Sequence, residues 1–495
     1  MVKSILLSFI LLLFSTEIFA QHFPFEKNRI YNITDTTFTI PRNTTRAITE
    51  TVGINLGVFT FNRFIMNEDF ARVNLKTMET NLKRLPKWDT DKFSTNLVAH
   101  PYHGALYFNA ARNNGMGFWQ SIPYTLGGSI MWEYLLEREP PSLNDLISTT
   151  TGGVSLGEMT FRLSDLFIDN RTTGSERIGR EILLGIVSPI RAVNRLVTGD
   201  AWKVKAQKGN SFNNVPVNFM VNVGARYLAE QEELENKSLG TNIMLRIDYG
   251  DPYNQDYYKP YEWFRLRIGM DVLSSQPFVS QVNATGILWG KEIYEKRNQT
   301  ITAGIFQHLN YYDSNLKIGL GAEKKSKAPY RISEVASIGG GLLYKRKAEN
   351  DSSFEVYAEA YLSGIILGAS NSDHFHVDER DYNMGSGYSM KTYAGLLYKK
   401  RWGFMMNTEN YQIFTWKGYN ENIDWATVDP EVLNAQGDEG NARLTVFTTS
   451  IYYMINPAWN IRLQSRNFFR RTHYKLYDDI EHSTADLMLS VGLRL

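Results

Sequence analysis

From residue 217 to the C-terminus, apolar side chains recur at every second position, a period that only strands satisfy. Val217, Phe219, Val221, Val223, Ala225 and Tyr227 alternate with polar or small residues. So do Phe264, Leu266, Ile268, Met270 and Val272, then Phe354, Val356, Ala358, Ala360, Leu362 and Ile366, then Leu444, Val446, Tyr452 and Met454. The last segment is the sharpest, with Leu487, Leu489, Val491, Leu493 and Leu495 set against Asp486, Met488, Ser490, Gly492 and Arg494. About twelve such segments occur, each near the length that a tilted membrane strand needs.

A soluble sandwich would also alternate, so connection lengths decide. Working back from Leu495, 471–483 is long, 456–457 short, 417–441 long, 401–402 short, 369–388 long, 349–352 short and 312–332 long. Membrane barrels segregate long outer loops from short periplasmic turns, and a sandwich has no reason to. Two early connections depart from the rule, 274–278 being short and 250–261 long. The reading is an outer-membrane β-barrel of about twelve antiparallel strands over 215–495. An even strand count with a periplasmic C-terminus places what precedes the barrel on the periplasmic side.

Composition agrees. Mean hydropathy of -0.32 rules out a bundle of membrane helices, while aromatic residues reach 13%, as lipid-facing and lumen-facing positions in alternation require. The absence of Cys excludes disulfides and thiolate metal sites. A net charge of +1 argues against nucleic acid as a partner. At the other end, Lys3 precedes an apolar run from Ile5 to Leu13, and Ile18, Phe19 and Ala20 precede Gln21. That is a secretory signal peptide over 1–20, followed by an extended lead-in over 21–45.

Residues 46–200 change period and predict an α-helical domain. Phe61, Phe64, Ile65, Phe70, Val73 and Leu75 recur at helical steps, although Val52, Ile54, Leu56 and Val58 would also suit a strand. His100 and Pro101 open a helix that Asn113, Asn114 and Gly115 close. A second runs from about Phe118 to Glu139, kinked at Pro123 and stopped by Pro140 and Pro141. Ser142 to Asp145 reads as a reciprocal capping box for a third. In that helix Thr149, Gly153 and Gly157 fall four apart, a smooth face predicted to seat the helix bearing Trp132 and Glu133. A fourth, from about Ser175 to Arg195, carries Ile178, Ile182, Ile186 and Ile190 on one side. Its Arg177, Arg180, Arg191 and Arg195 would suit anionic groups.

The same domain holds the polar candidates. Asp89, Asp91, His100 and His103 are the residues that could hold a divalent metal, two histidines three apart sharing a helix face. The alternative is that His100 caps its helix and His103 is a hydrogen-bonded core histidine. Glu133, Asp145 and Glu158 are candidate catalytic acids or bases, since buried carboxyls without partners rise in pKa. Glu158 and Arg162, four apart, could instead form an ion pair. No nucleotide-binding pattern, nucleophile elbow or other cofactor motif is present.

The run W-D-x-D-x-F-x-x-N, H-P-Y-H-G-x-x-Y-F-N-x-A-R, G-S-x-x-W-E-Y, P-S-x-N-D-L and G-G-x-x-L-G-E resembles an uncharacterised family of Gram-negative envelope proteins, a domain of unknown function. The resemblance covers residues 51–166 through Trp88, Asp89, Asp91, Asn96, His100, Pro101, His103, Trp132, Glu133, Asn144, Asp145 and Glu158. It implies kinship and no activity. Three functions are therefore carried forward. The first is a barrel in transport, gating or envelope organisation. The second is a membrane-anchored enzyme acting on lipid or cell-wall material. The third is a structural barrel that binds a periplasmic protein or cell-wall component. Outer-membrane lipid is a partner in all three.

Overall fold

The structure is a computed structural model and describes residues 39–495 except 213–214, 231–237, 273–275, 315–329, 350–353, 378–379 and 430–432. The expected signal peptide and most of the lead-in lie outside the described residues. Two units emerge, one helical, which also takes in residues 424–435, and one of strands.

The helical unit contains α1 (Thr44–Phe61), α2 (Leu75–Leu82), α3 (His100–Asn113), α4 (Phe118–Met131), α5 (Leu143–Asp165), α6 (Gly174–Val187) and α7 (Pro189–Thr198). Its alternating stretch, Val52 to Val58, lies inside α1. Asn43 caps α1 by accepting the Arg46 N–H at 2.9 Å, and Asn74 closes a capping box on α2. A π-helical turn, Thr95–Ala99, runs into α3, so His100 stands inside continuous helix and does not cap it. Another, Trp132–Leu136, extends α4 toward its proline stop. No helix among the described residues is long and apolar enough to cross a membrane.

Two helical expectations are corrected. The fourth helix is two, because Pro189 has no N–H to continue the ladder and Ser188 leaves helical geometry at φ -142° and ψ 84°. The smooth face of α5 seats α3, not the helix bearing Trp132. A Cβ on Gly153 would lie 2.6 Å from the Gly104 backbone, and one on Gly157 2.7 Å from the Phe108 Cβ.

The strand unit is a closed antiparallel ring: β1 (Val217–Glu230), β2 (Ser238–Tyr249), β3 (Phe264–Asp271), β4 (Val279–Lys296), β5 (Gln299–Asp313), β6 (Arg331–Arg346), β7 (Phe354–Asn371), β8 (Tyr382–Tyr398), β9 (Trp402–Thr415), β10 (Gly440–Met454), β11 (Trp459–Tyr474) and β12 (Ile480–Arg494). Each strand pairs with its sequence neighbour, and β12 closes on β1 with Val491 opposite Val223 and Leu489 opposite Ala225. Closure leaves no edge to be satisfied in lipid. The period of two then sorts the side chains. Leu487, Leu489 and Val491 of β12, Ile461 and Leu463 of β11, Phe404 and Met406 of β9, and Leu362 and Ile366 of β7 are exposed on the outer face. An apolar surface so broad needs lipid against it.

The long connection 250–263 lies at the end where the other turns are short, and it folds onto the wall. Tyr257 and Tyr258 pair with Lys291 and Gly290 of β4, and the Thr302 hydroxyl donates to the Pro252 carbonyl at 2.6 Å.

Candidate functional site

In the helical unit, Lys87 forms a parallel bridge with Ser142, its N–H reaching the Pro141 carbonyl at 2.8 Å and its carbonyl accepting the Leu143 N–H at 2.7 Å. This clamp lays Asp89 on the N-terminus of α5, where unpaired N–H groups favour negative charge. The Asp89 carboxylate accepts the Asn96 amide at 2.7 Å and the Ser142 hydroxyl at 2.9 Å, while its own N–H donates to Asn144 Oδ1 at 3.2 Å. The Ser142 oxygen accepts the Asp145 N–H at 3.2 Å. The expected capping box is not reciprocal. The Ser142 N–H donates to Glu133 Oε2 at 2.8 Å, and the Asp145 carboxyl turns to the Asn144 amide at 3.0 Å. His100 Nε2 lies 3.5 Å from Asp145 Oδ2. Asp89, His100, Glu133 and Asp145 are thus brought together.

The remaining candidates sit around or apart from this core. Asp91 approaches through its backbone, its N–H 3.4 Å from Asp89 Oδ1. His103, one turn along α3, meets the Tyr107 hydroxyl at 2.8 Å and the edge of Trp132 with ring centroids 5.0 Å apart. Glu158 stands elsewhere, fully buried between two guanidiniums, Arg112 at 2.7 Å and Arg162 at 2.8 Å. Arg112 and Arg191 both lie 4.5 Å from the Phe161 ring, and Arg191 binds Asp165 at 2.6 Å. Arg195 and Arg177 pair with Glu181. These arginines are therefore internal struts, not the free cations expected of them. Among the described residues no three His, Asp or Glu side chains are gathered as metal ligands.

Burial divides the protonation states of the core. It pushes Glu133 up to about 8, with the negative charges of Asp89 and Asp91 adding to the effect. Burial likewise holds Glu137 and Asp145 well above the usual carboxylate range. At Asp89 burial acts upward too, but hydrogen bonds from Asp145, Asn96 and Asn144 outweigh it and lower its pKa. Burial pushes His100 down to about 4 and His103 down to about 3. Burial thus favours the protonated form of Glu133, Glu137 and Asp145 and the neutral form of both imidazoles, while hydrogen bonds favour the carboxylate of Asp89. An ionised and a protonated carboxyl side by side form an acid and a base in one place.

Sequence reasoning missed the barrel interior. Leu228, Tyr312, Tyr330, Ile332, Ile365, Tyr411, Ile413, Leu444, Val446 and Phe468 form one buried cluster from seven strands and the residue preceding β6. Tyr330 stacks on Phe468 of β11 with centroids 3.7 Å apart. A second cluster joins Tyr258 and Trp263 of the 250–263 connection to Ile287, Phe306, Leu343 and Tyr361. Around them run buried ion pairs. Arg226 binds Asp271 at 2.6 Å and Asp486 at 3.0 Å, and Arg466 binds Asp486 at 2.6 Å and Gln281 of β4 at 2.5 Å. The Glu409 carboxylate accepts the hydroxyls of Tyr312, Tyr411 and Tyr393 at 3.0, 2.5 and 3.2 Å. Strands far apart around the ring touch through their side chains, so at these levels the lumen is filled. Beforehand only the alternation of the strand positions was legible, not the partners they find across the lumen.

Residues 85–190 match the model of a family described as a domain of unknown function (DUF3943), a span that holds every candidate site residue. No curated protein matches the chain. The chain is similar in structure to the NanC porin, at 10% identity over 55% of this chain and 98% of that one, with a TM-score of 0.27. OmpT, an outer membrane protein of Vibrio cholerae, is 6% identical over 57% and 98% with a TM-score of 0.23. The Pseudomonas putida toluene transporter TodX is 9% identical over 57% and 89% with a TM-score of 0.22.

Proposed function

We propose that this chain is an outer-membrane barrel of a Gram-negative bacterium that passes small polar solutes through a gated lumen. The carrying observation is how the interior is filled. A barrel kept only as an anchor is stabilised best by apolar packing, because buried ion pairs seldom improve on hydrophobic residues of the same volume. This lumen instead combines buried pairs such as Arg226–Asp486 with an aromatic stack, Tyr330 on Phe468. Such contacts hold by geometry and can part without unzipping the wall. Twelve strands lie between barrels filled by side chains and those that enclose a channel, so modest rearrangement opens a path.

The test is single-channel recording on the full chain in planar bilayers. The native protein is expected to open rarely, and Phe468→Ala, which removes one face of the stack, to open at least tenfold more often while staying heat-modifiable on gels. If both proteins remain silent, the barrel is an anchor and the proposal fails.

A second reading, a membrane-anchored enzyme acting on lipid or cell-wall material, has one observation behind it: Asp89 and Asp145 share Ser142 and Asn144 as hydrogen-bond partners, in surroundings that favour the carboxylate of the first and the acid form of the second. Loss of envelope integrity in Asp89→Asn with the helical unit still folded would favour it. Restoration by Glu at 89 but not by Gln would separate a charge role from packing.

The helical unit adds a lipid-seeking surface. Ile178, Ile182 and Ile186 of α6 and Val193, Leu196 and Val197 of α7 are all more than half exposed, and membrane lipid is the proposed partner of this face.

A further inference from the structure

Not every arginine of the lumen has a carboxylate within ion-pair distance among the described residues. Arg246 of β2, Arg265 and Arg267 of β3, and Arg462 of β11 share the inward parity. The carboxylates that bind them among the described residues are Asp248 and Glu359. Arg246 and Arg265 divide Asp248 at 2.7 and 2.8 Å, and Arg265 also grips Glu359 through two nitrogens at 2.8 and 2.9 Å. Arg246 stands directly opposite Arg267 in the β2–β3 register, a placement that like charges disfavour. Arg267 has the Tyr393 ring at 5.4 Å, and Arg462 has the Tyr452 ring at 5.5 Å. Arg462 Nη2 lies 3.8 Å from Met220 Sδ, and Met220 is the register partner of Arg246. The Arg462 Nε, itself buried, has no hydrogen-bond partner among the described residues.

Beside Arg462 the wall is hollow. A cavity of about 20 Å³ is bounded by Asn222, Asn242, Arg462, Gln464 and Ser490 with Met244 and Met488, room for one oxygen of a carboxylate whose remainder stays in the lumen. Asn222 is 3% exposed, and neither its amide nitrogen nor its amide oxygen has a partner among the described residues. Gly224 keeps the space open, since a Cβ there would lie 2.6 Å from the Ser490 Cβ.

We infer that this wall is a binding site for a small carboxylate, the Arg462 guanidinium supplying the charge and the Asn222 amide a further donor. A guanidinium presents two parallel N–H groups to a carboxylate, and an anion here would give Arg462 the partner that no carboxylate among the described residues supplies within ion-pair distance. The inference deepens the passage reading by naming its solute class and rests on that reading only for movement, not for binding.

Saturation-transfer NMR on the full chain in detergent tests it, with acetate as probe and methylammonium as its cationic counterpart. Transfer to acetate is expected and transfer to methylammonium is not. Arg462→Gln should lower acetate transfer at least fivefold, and Arg462→Lys should restore part of it. Among the described residues Arg462 has no carboxylate partner, so its neutral replacement strands no charge there and the barrel should stay heat-modifiable. Equal transfer to both probes, or acetate transfer unchanged in Arg462→Gln, overturns the site. Acetate binding in a protein that never conducts would sink the passage reading and leave the site standing.

Discussion

The Glu133 carboxylate accepts the backbone N–H of Ser142 at 2.8 Å, doing from the end of one helix what a capping-box acid does from within the next. Because Glu133 is almost fully buried (1% exposed), the same contact ties helix capping to proton binding. The hydrogen bond favours the carboxylate, burial favours the acid, and burial wins.

Stability of the helical unit should therefore fall on both sides of mildly acidic pH. Glu133 is raised from 4.5 to about 8, so its contribution is complete below pH 4.5 and is lost as pH rises through 8. His100 is lowered from 6.5 to about 4, so its contribution is present above 6.5 and is lost as pH falls through 4. Each proton linked in this way changes stability by about 1.4 kcal/mol per pH unit. Glu133→Gln keeps an acceptor for Ser142 and should flatten the alkaline limb by one proton. Denaturant unfolding of the unit from pH 6 to 9 reads this directly, and identical slopes in both proteins would contradict the assignment.

What could be read beforehand depended on how local the cause was. The faces of β12 follow from alternation alone, because lipid and lumen impose opposite demands on neighbouring residues. The break at Pro189 was hidden by periodicity, since Ile186 and Ile190 keep helical spacing across it. The capping motif pointed to Asp145 because Glu133, nine residues back, reaches Ser142 only after the chain turns at Pro140 and Pro141. Tyr258 and Trp263 sit in a stretch without a period, so nothing local marks their entry into the barrel's packing. The convergence of Asp89, His100, Glu133 and Asp145 needs the Lys87–Ser142 clamp, a contact between distant segments that no spacing encodes.

Gly153→Ala should loosen the α3–α5 seam. The added Cβ would sit 2.6 Å from the Gly104 carbonyl carbon and Cα, and backbone cannot rotate away as a side chain can. Overpacking of this kind costs roughly 1–3 kcal/mol. Limited proteolysis should cut the helical unit faster while the barrel keeps its heat-modifiable migration. Unchanged proteolysis would mean the seam is looser than these distances require.

Leu489→Arg should impair barrel assembly. Leu489 is 57% exposed on the outer face of the closing strand, and an arginine at the bilayer midplane of a barrel costs roughly 2–4 kcal/mol, less toward the interfaces. Its inward neighbour Ser490 lines the lumenal cavity and stands opposite Arg462, so a charge of the other sign there, Ser490→Asp, should be tolerated far better at the membrane. Quantifying the folded barrel in outer-membrane fractions compares the two. Equal yields would deny that lipid covers this face.

The α6–α7 face should enter a membrane by apolar contact and not by charge. Ile182 and Ile186 are 55% and 58% exposed, and Val197 is 77% exposed. The arginines of the same helices are committed internally: Arg177 and Arg195 to Glu181, Arg180 to Glu176, and Arg191 to Asp165. Insertion should therefore be insensitive to salt and should not require anionic lipid, unlike a basic amphipathic helix. The chain has no Cys, so a single spin label can be placed at Ile182→Cys, with Ser175→Cys, exposed at the start of α6, as the control. In proteoliposomes of neutral lipid, the label at 182 should gain access to dissolved oxygen and lose access to a water-soluble nickel chelate, while the label at 175 keeps both. A label at 182 as open to nickel as the control would show that water, not lipid, meets this face. Protection at 182 from oxygen and nickel together would show that protein covers it.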